Sequence, residues 1–211
     1  MLISETKMAL SRPRSPEEYR ETVETCLDAA QQMRRLTESL LQLARFDAGQ
    51  ELMHREPVDL ADVARENVKR IQPLIQNQSL SLRTEFSSSV VSADPERLGQ
   101  ILINLLANAI QYNRPGGEIR VTSGLQDGFA VIQISDTGLG IAADDLVHVF
   151  ERFYRVDKSR ARLAGRSGLG LSISKAIVEA HGGTITAASE PGVETTFTLR
   201  FPVLQIEESE E

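Results

Sequence analysis

Apolar residues in the first quarter of the chain recur at helical spacing and predict one long helix over residues 15–46. Ser15 stands at the N-cap position, Pro16 in the first turn and Glu18 at the capping-box position. The apolar positions follow a four-three repeat that only Thr37 interrupts. They are Tyr19, Val23, Cys26, Ala30, Met33, Leu40 and Ala44, and the stripe is widened by Leu27, Leu36, Leu41 and Leu43. A stripe of this width is typical of a four-helix bundle.

The residues before this helix resemble the end of another one. Residues 2–10 have a helical composition, and residues 11–16, which contain two prolines, predict the turn between the two helices. Because two helices bury too little apolar surface alone, we expect a homodimer that completes a four-helix bundle. The alternative is a hairpin docked on the rest of the same chain.

The pattern changes after residue 50 to a mixture of strands and helices. Residues 58–75 predict a short strand and a helix, and residues 79–86 alternate as a strand does. Asp94 caps a predicted helix over residues 95–112, and residues 168–183 predict a helix that begins and ends in glycines. Two further segments, 117–135 and 183–203, predict β-hairpins. This order indicates an α/β sandwich rather than a βαβ series, so the whole chain is of the α+β class.

Composition limits the possible functions of this 211-residue chain. The formal charge of −7 argues against a general nucleic-acid-binding protein, because phosphate contacts require clustered surplus cations. Cys26 is the single cysteine, which favours a reducing, cytoplasmic compartment. No apolar run has membrane-spanning length, so we expect any membrane contact of the parent protein to come from regions outside this chain.

The predicted helix over residues 95–112 carries a row of carboxamides. Asn104, Asn108 and Gln111 follow one another at helical spacing, although asparagine is a poor helix former. Magnesium takes oxygen ligands that it shares with phosphates and water, and a neutral amide oxygen adds no negative charge beside a triphosphate. The alternative is a solvated polar face without a ligand.

The segment SDTGLGI places an acid at the end of a hydrophobic strand. Asp136 at this position can accept a hydrogen bond from an exocyclic amine such as that of adenine, and Gly138 and Gly140 allow a ligand to approach the backbone. A dinucleotide-binding turn would use the same glycines with Ala143. That interpretation requires an acid about twenty residues later, where this chain has Lys158.

A second glycine-rich segment, GRSGLGLSI, lies where a loop becomes a helix. Unpaired N–H groups at a helix N-terminus favour phosphate, and the absence of a Walker lysine excludes a P-loop. Six cations precede it in an otherwise acidic chain: Arg152, Arg155, Lys158, Arg160, Arg162 and Arg166. Such a segment indicates a mobile lid over anionic phosphates, and a solvated run of charges is the alternative.

These elements, in this order, resemble the catalytic domain of sensor histidine kinases, within the ATPase group that includes gyrase, Hsp90 and MutL. NLLANAIQYN resembles the N box, DTGLGI the G1 box, FERFYR the F box and GRSGLGLSI the G2 box. The resemblance spans residues 57–203, and residues 1–50 resemble the second part of the family's dimerisation and histidine-phosphotransfer hairpin. It implies a helical hairpin at 1–50, a linker at 51–57, an ATP-binding domain of the gyrase and Hsp90 fold at 58–205, and a disordered acidic tail at 206–211.

The resemblance also implies a role for individual residues. Asn108 would contact Mg²⁺ with Asn104 beside it, Tyr112 would pack near the nucleotide, and Asp136 would bind the adenine amino group. Gly138 and Gly140 would shape the pocket wall, and Thr195 would lie near adenine. The remaining members of the implied ATP site are Gly168, Leu169 and Gly170 at the phosphates and the lid cations Arg152 and Arg160.

The chain departs from the family pattern at several positions. Gln111 stands where a lysine or arginine is common, Glu194 replaces a frequent glycine, and Arg166 interrupts a glycine pair. The phospho-accepting histidine and its acidic neighbour are absent, and none of His54, His148 and His181 lies in the required setting. We therefore expect the acceptor to precede Met1 in a longer parent protein.

The main hypothesis is the ATP-binding kinase core of a two-component sensor, with ATP and Mg²⁺ as cofactors. The complete protein would transfer the γ-phosphoryl group to a histidine outside this chain and then to an aspartate of a response-regulator receiver domain. The fragment alone should not autophosphorylate, and its parent would be anchored in a membrane. A non-catalytic dimerisation or regulatory module that retains ATP binding is the alternative from another class, and dinucleotide binding is the third.

Overall fold

A computed structural model describes residues 6, 7, 9–11, 13, 15–156 and 167–204 of the chain. The first long element is α1 (Pro16–Asp47). The predicted capping box is present, because Ser15 Oγ accepts from the Glu18 N–H and the Glu18 carboxylate accepts from the Ser15 N–H. Thr6, Lys7, Ala9 and Leu10 are helical, as expected for the end of a preceding helix.

The rest of the described chain forms an α/β sandwich. Its strands are β1 (Glu56–Asp59), β2 (Ser81–Phe86), β3 (Val90–Ala93), β4 (Glu118–Gln126), β5 (Phe129–Asp136), β6 (Thr184–Glu190) and β7 (Glu194–Pro202). Its helices are α2 (Leu60–Asn77), α3 (Pro95–Gln111), the short α4 (Ala143–Leu146) and α5 (Gly170–Ala180). The predicted fold class and both predicted hairpins are therefore confirmed. The predicted acidic tail at 206–211 lies outside the described residues.

The main sheet has five strands in the order β2-β4-β5-β7-β6. All neighbouring pairs are antiparallel except β2 and β4, which are parallel because α3 crosses between them. A second sheet pairs β1 with β3 antiparallel, with Val58 opposite Val91. The sequence did not predict β3, whose serine-rich surroundings resemble a loop.

The helices α2, α3 and α5 pack on one another and on the main sheet, so that buried and more exposed residues alternate along β4 and β7. Leu105, Leu106, Ile119, Ile132 and Leu199 are members of this core. Leu43 of α1 belongs to the same core, which attaches the end of the long helix to the sandwich. Within the described ranges, no helix combines the length and hydrophobicity needed to cross a bilayer.

The linker between α1 and the sandwich is attached through Asp94. Its carboxylate accepts hydrogen bonds from the N–H groups of Glu96 and Arg97 at the start of α3 and from the His54 N–H of the linker, at 3.1, 3.1 and 3.0 Å. Burial alone would raise the pKa of Asp94, but these three donors and the charge of Arg97 hold it below its ordinary value. The same acid therefore caps α3 and fixes the linker.

His181 is buried at the end of α5 and is held as a neutral ring. Its Nε2 accepts from the Asp94 N–H at 3.0 Å, and its Nδ1 lies 2.7 Å from the Ile177 carbonyl oxygen, which defines Nδ1 as the protonated nitrogen. Burial lowers the pKa of His181, and the charge of Arg55 lowers it further, against the opposing effects of Ile177 and Asp94. A second proton on Nε2 would face the Asp94 N–H and break this bond.

We expect His181 to make the folded chain less stable in acid. Because its folded pKa lies below its unfolded value, the contribution is complete above about pH 6.5 and is lost as the pH falls through the interval between the two pKa values. Urea unfolding between pH 5 and 8 should show the free energy of unfolding falling by at most about 1.4 kcal/mol per pH unit in that interval. His181→Gln should remove this component, whereas His148→Gln, at a half-exposed ring, should retain it. Equal pH profiles for wild type and His181→Gln would contradict the assignment.

Candidate functional site

Asp136 and Thr195 lie side by side at the ends of two central strands. They are register partners of β5 and β7, and their exposed fractions are 6% and 5%. The Gly138 N–H donates to Asp136 Oδ1 at 3.0 Å, and the Thr195 hydroxyl lies 3.0 Å from Ser189 Oγ. The strand ends therefore present one buried carboxylate that has a single hydrogen-bond donor among the described contacts.

The pKa of Asp136 is raised to about 6. Burial is the largest cause, the Gly138 N–H opposes it, and the negative charge of Glu194 adds to it. Glu194 occupies the position where the resembling family frequently has a glycine, and its negative charge raises the pKa of Asp136. A buried carboxylate that is costly to ionise gains when a ligand supplies a hydrogen-bond donor.

The loop after β5 is held from two sides. The Leu139 N–H donates to the Tyr112 carbonyl oxygen at 2.9 Å, and the Gly192 N–H donates to the Leu139 carbonyl oxygen at 2.8 Å. The Ile141 N–H donates to Ser189 Oγ at 2.8 Å. The loop therefore joins the end of α3 to the β6–β7 turn.

Gly138 and Gly140 are required by this arrangement. A Cβ at Gly138 would overlap the Tyr112 carbonyl oxygen. Gly140 has a φ of +65°, and a Cβ there would overlap the carbonyl oxygen of Glu190. Both contacts are with main-chain atoms, which move less easily than a side chain.

The second glycine-rich segment packs on the middle of α3. Asn104 Nδ2 donates to Ser174 Oγ of α5 at 2.9 Å, and a Cβ at Gly170 would overlap Asn104 Oδ1. Leu169, which precedes α5, is fully buried and anchors the turn. The N-terminus of α5 is thus held directly beside the carboxamide of Asn104.

Gly168 and Phe153 form a left-handed pair. Their φ values are +71° and +63°, and the Phe153 N–H donates to the Gly168 carbonyl oxygen at 3.0 Å. A Cβ at Gly168 would lie 2.9 Å from the Phe153 carbonyl carbon. A positive φ is costly for phenylalanine, so the surrounding contacts hold this segment in a strained conformation.

The two glycine loops meet on the same helix. Asn104 contacts the N-terminus of α5. Tyr112, the C-cap residue of α3, contacts the loop after β5. Asn108 lies between them, one turn from each. The helical rise separates Asn104 from Tyr112 by about 12 Å along the axis. The structure therefore brings eight of the predicted site residues to α3, to the loops on it or to the adjoining strand ends: Asn104, Asn108, Tyr112, Asp136, Gly138, Gly140, Gly170 and Thr195.

The other predicted site residues are placed differently. Gly168 and Leu169 lead into α5, as expected. Arg152 does not point to α3 but makes an ion pair with Asp47 at the end of α1, at 2.6 and 2.7 Å. Arg160 lies outside the described residues.

Sequence reasoning missed Ser174, Ser189 and Asp47. The two serines hold Asn104 and the loop after β5 through side-chain hydrogen bonds, and Asp47 engages Arg152. Nothing in their local sequence distinguishes them, because each partner is far away along the chain.

The carboxamides on α3 suit a magnesium ion that is bound together with a ligand. Among the described residues, no group of three or more His, Cys, Asp and Glu side chains could hold a metal. The carboxamide oxygens on α3 are hard neutral donors, which suit an ion whose other ligands are phosphate oxygens and water. The residues present therefore fit a nucleotide-bound ion better than a protein-bound one.

Comparison with known proteins agrees with this geometry. Residues 93–205 match the family described as histidine kinase-, DNA gyrase B-, and HSP90-like ATPase. Sensor protein IrlS of Burkholderia pseudomallei is 37% identical over 201 residues, which are 95% of this chain and 43% of IrlS. The chain thus spans less than half of this relative.

Two solved structures extend the comparison. The mycobacterial sensor histidine kinase MprB is 30% identical with a TM-score of 0.61, covering 72% of this chain and 99% of MprB. Full-length ShkA in complex with AMPPNP is 25% identical with a TM-score of 0.78, covering 92% of this chain and 41% of ShkA.

Proposed function

The chain belongs to the histidine kinase-, DNA gyrase B-, and HSP90-like ATPase family, as a sensor histidine kinase catalytic domain preceded by a long helix, and from this we infer its function. We propose that it is the Mg-ATP-binding kinase core of a two-component sensor. The γ-phosphoryl group is transferred to a histidine outside this chain and then to an aspartate of a response regulator. ATP supplies the phosphoryl group, and the residues of the chain bind and orient the nucleotide.

The single observation that carries this proposal is the convergence of both glycine loops on α3. One end of the helix lies beside a buried acid that can accept from an adenine amino group. The middle of the helix, about two turns away, lies beside the N-terminus of α5, whose N–H groups and partial charge favour phosphate. An adenine nucleotide requires both features at opposite ends of one cleft.

Each predicted residue has a role in this proposal. Asp136 accepts from the adenine amino group with Thr195 beside it, and Tyr112 packs near the nucleotide. Gly138 and Gly140 form the pocket wall. The phosphates and Mg²⁺ are held by Asn104, Asn108, Gly168, Leu169 and Gly170, with Arg152 and Arg160 as lid cations. Positioning and charge neutralisation are the main requirements of phosphoryl transfer.

We propose a homodimer through α1. Its exposed apolar side chains, at positions that do not pack on the sandwich, are Tyr19, Val23, Leu27, Met33, Leu40 and Leu41. An apolar face of this length on one helix supports association with a second copy into a four-helix bundle. The receiver domain of a response regulator is the second proposed partner.

A non-catalytic module that binds ATP is the competing proposal. It is supported by the surroundings of the three histidines: His181 is buried and bonded at both nitrogens, His148 lies 2.7 Å from Glu151, and His54 is in the linker. Mixing the chain with a protein that bears an intact acceptor hairpin separates the two, because only a kinase core transfers phosphate from labelled ATP to the added histidine.

Asn108→Ala tests the metal assignment by titration calorimetry. We expect the affinity for ATP in the presence of Mg²⁺ to fall by about tenfold or more, with a smaller change when Mg²⁺ is chelated, because the lost carboxamide serves the ion. Asn77→Ala, at the exposed end of α2, is the matched control and should leave both affinities unchanged. If wild type does not bind Mg-ATP, the proposed function is wrong; if Asn108→Ala binds like wild type, only the metal role of Asn108 is wrong.

A further inference from the structure

The end of α1 is docked on the kinase domain through side chains of several kinds. Leu43 is 2% exposed and lies in the domain core, with Leu36 and Phe46 packed against it. The amide groups of Gln42 and Gln100 exchange two hydrogen bonds, at 3.0 and 2.9 Å. The C-terminal end of α1 therefore packs in a defined position on the N-terminal half of α3.

An ion pair joins the last residue of α1 to the segment that precedes the nucleotide site. Arg152 Nη2 lies 2.6 and 2.7 Å from the two carboxylate oxygens of Asp47, the last residue of α1. The side chains are 48% and 53% exposed, so water and other anions have access to both. An ion pair of this exposure changes an equilibrium by only about 1.4- to fivefold, which makes it easy to exchange.

The position of Arg152 connects this pair to the phosphate side of the site. Its neighbour Phe153 donates its N–H to Gly168 in the strained left-handed contact described above. The guanidinium is therefore carried by the segment that holds the glycine loop before α5. The Arg152 side chain on this segment pairs with the carboxylate of Asp47. A phosphate bound at the glycine loop would be a second anion close to the same segment.

We propose that Asp47 and the phosphates of ATP compete for the guanidinium of Arg152, so that docking of α1 and nucleotide binding weaken each other. A triphosphate carries more negative charge than one carboxylate and offers several oxygen acceptors to the same guanidinium. By linkage, each ligand of Arg152 reduces the apparent affinity of the other by the same factor. This inference rests on the proposed function and adds to it a regulatory residue outside the site.

The test compares Mg-ATP and adenosine binding to the full 211-residue chain and its variants by calorimetry. Asp47→Asn should raise Mg-ATP affinity by about 1.4- to fivefold and leave adenosine affinity unchanged, since adenosine has no phosphate. Arg152→Gln should lower Mg-ATP affinity. The double variant should bind like Arg152→Gln alone, because Asp47 acts through Arg152.

Glu38→Gln is the matched control. Glu38 lies on the same helix, 3.9 Å from Arg34, and its substitution removes one negative charge without touching the Asp47–Arg152 pair. It should not change Mg-ATP affinity. An equal rise for Glu38→Gln and Asp47→Asn would show general electrostatics and overturn the competition.

Other outcomes are equally decisive. The competition is overturned if Asp47→Asn binds Mg-ATP like wild type, if it changes adenosine affinity by the same factor, or if its effect persists in the double variant. In each of these cases wild type still binds Mg-ATP and the proposed function stands. Wild type that binds neither ligand overturns both.

Discussion

Asp136→Asn weakens ATP binding and stabilises the ligand-free protein. The substitution removes the carboxylate that accepts from the adenine amino group, and hydrogen bonds to charged groups contribute about 1.5–3 kcal/mol, so the affinity should fall by about 10- to 100-fold. It also removes the cost of ionising a buried acid whose pKa is raised to about 6 by burial and by Glu194. The substitution should therefore lower the affinity for ATP and raise the stability of the ligand-free protein.

The stabilisation depends on pH in a defined way. A raised pKa means that the folded state holds the proton more tightly than the unfolded state, so the ionisation cost is absent below about pH 4 and complete above about pH 6. The difference of about two pKa units corresponds to an upper limit of about 3 kcal/mol. Urea unfolding of wild type and Asp136→Asn at pH 5, 6 and 8, without nucleotide, measures it.

The same titration predicts the pH dependence of binding. Wild-type ATP affinity should fall as the pH drops below about 6, because a protonated Asp136 donates where it must accept. Asp136→Asn should show no such fall. If Asp136→Asn binds ATP as wild type does, Asp136 does not contact the adenine. If the variant is less stable than wild type at pH 8, ionisation of Asp136 does not destabilise the folded protein.

Gly140→Ala should damage both the fold and the site. The alanine would adopt a φ of +65°, which costs about 1–2 kcal/mol, and its Cβ would overlap the Glu190 carbonyl oxygen. Relief of such an overlap costs about a further 1–3 kcal/mol. The loop after β5 would move away from the β6–β7 turn, so we expect ATP affinity to fall at least about tenfold, as for other losses of buried contacts in a binding site.

Gly128→Ala isolates the effect of the close contact. Gly128 lies in the β4–β5 turn with a φ of +77°, and a Cβ there would meet nothing within 4 Å. It should therefore show the conformational cost alone, about 1–2 kcal/mol, with unchanged ATP affinity. Chemical denaturation and calorimetry of both variants provide the comparison. If Gly140→Ala and Gly128→Ala lose the same stability, the overlap with the Glu190 carbonyl oxygen is relieved without a measurable cost.

Local signals in the sequence were sufficient for most elements of the fold. The Ser15 capping box, the Asp94 cap and the β4–β5 hairpin each depend on residues a few positions apart, and all three are present. The strand β3 was missed because its partner β1 lies more than thirty positions away and because β3 is short and follows three serines. The parallel pairing of β2 and β4 depends on α3 between them, which local periodicity does not report.

The site shows the same division. Asp136, Gly138 and Gly140 lie within five residues, so their chemistry could be recognised from spacing. The family resemblance and the charge of its segment assign Arg152 to the phosphates, but its ion pair with Asp47 joins residues 105 positions apart and has no local signal. The left-handed backbone of Phe153 gave no signal, because phenylalanine does not prefer this conformation and the residue that it bonds, Gly168, lies 15 positions away.

The helix α3 has a consequence for the construction of hybrid sensors. Gln100 contacts α1, Asn104 contacts the N-terminus of α5 one turn later, and Tyr112 contacts the loop after β5 about two turns beyond Asn104. A splice inside this helix would take some of the three contact residues from one parent and the rest from the other, so that not all of them would meet the partners with which they pack. Functional exchange between related sensors therefore requires that residues 94–113 be inherited as an undivided block, together with the end of α1 that they receive.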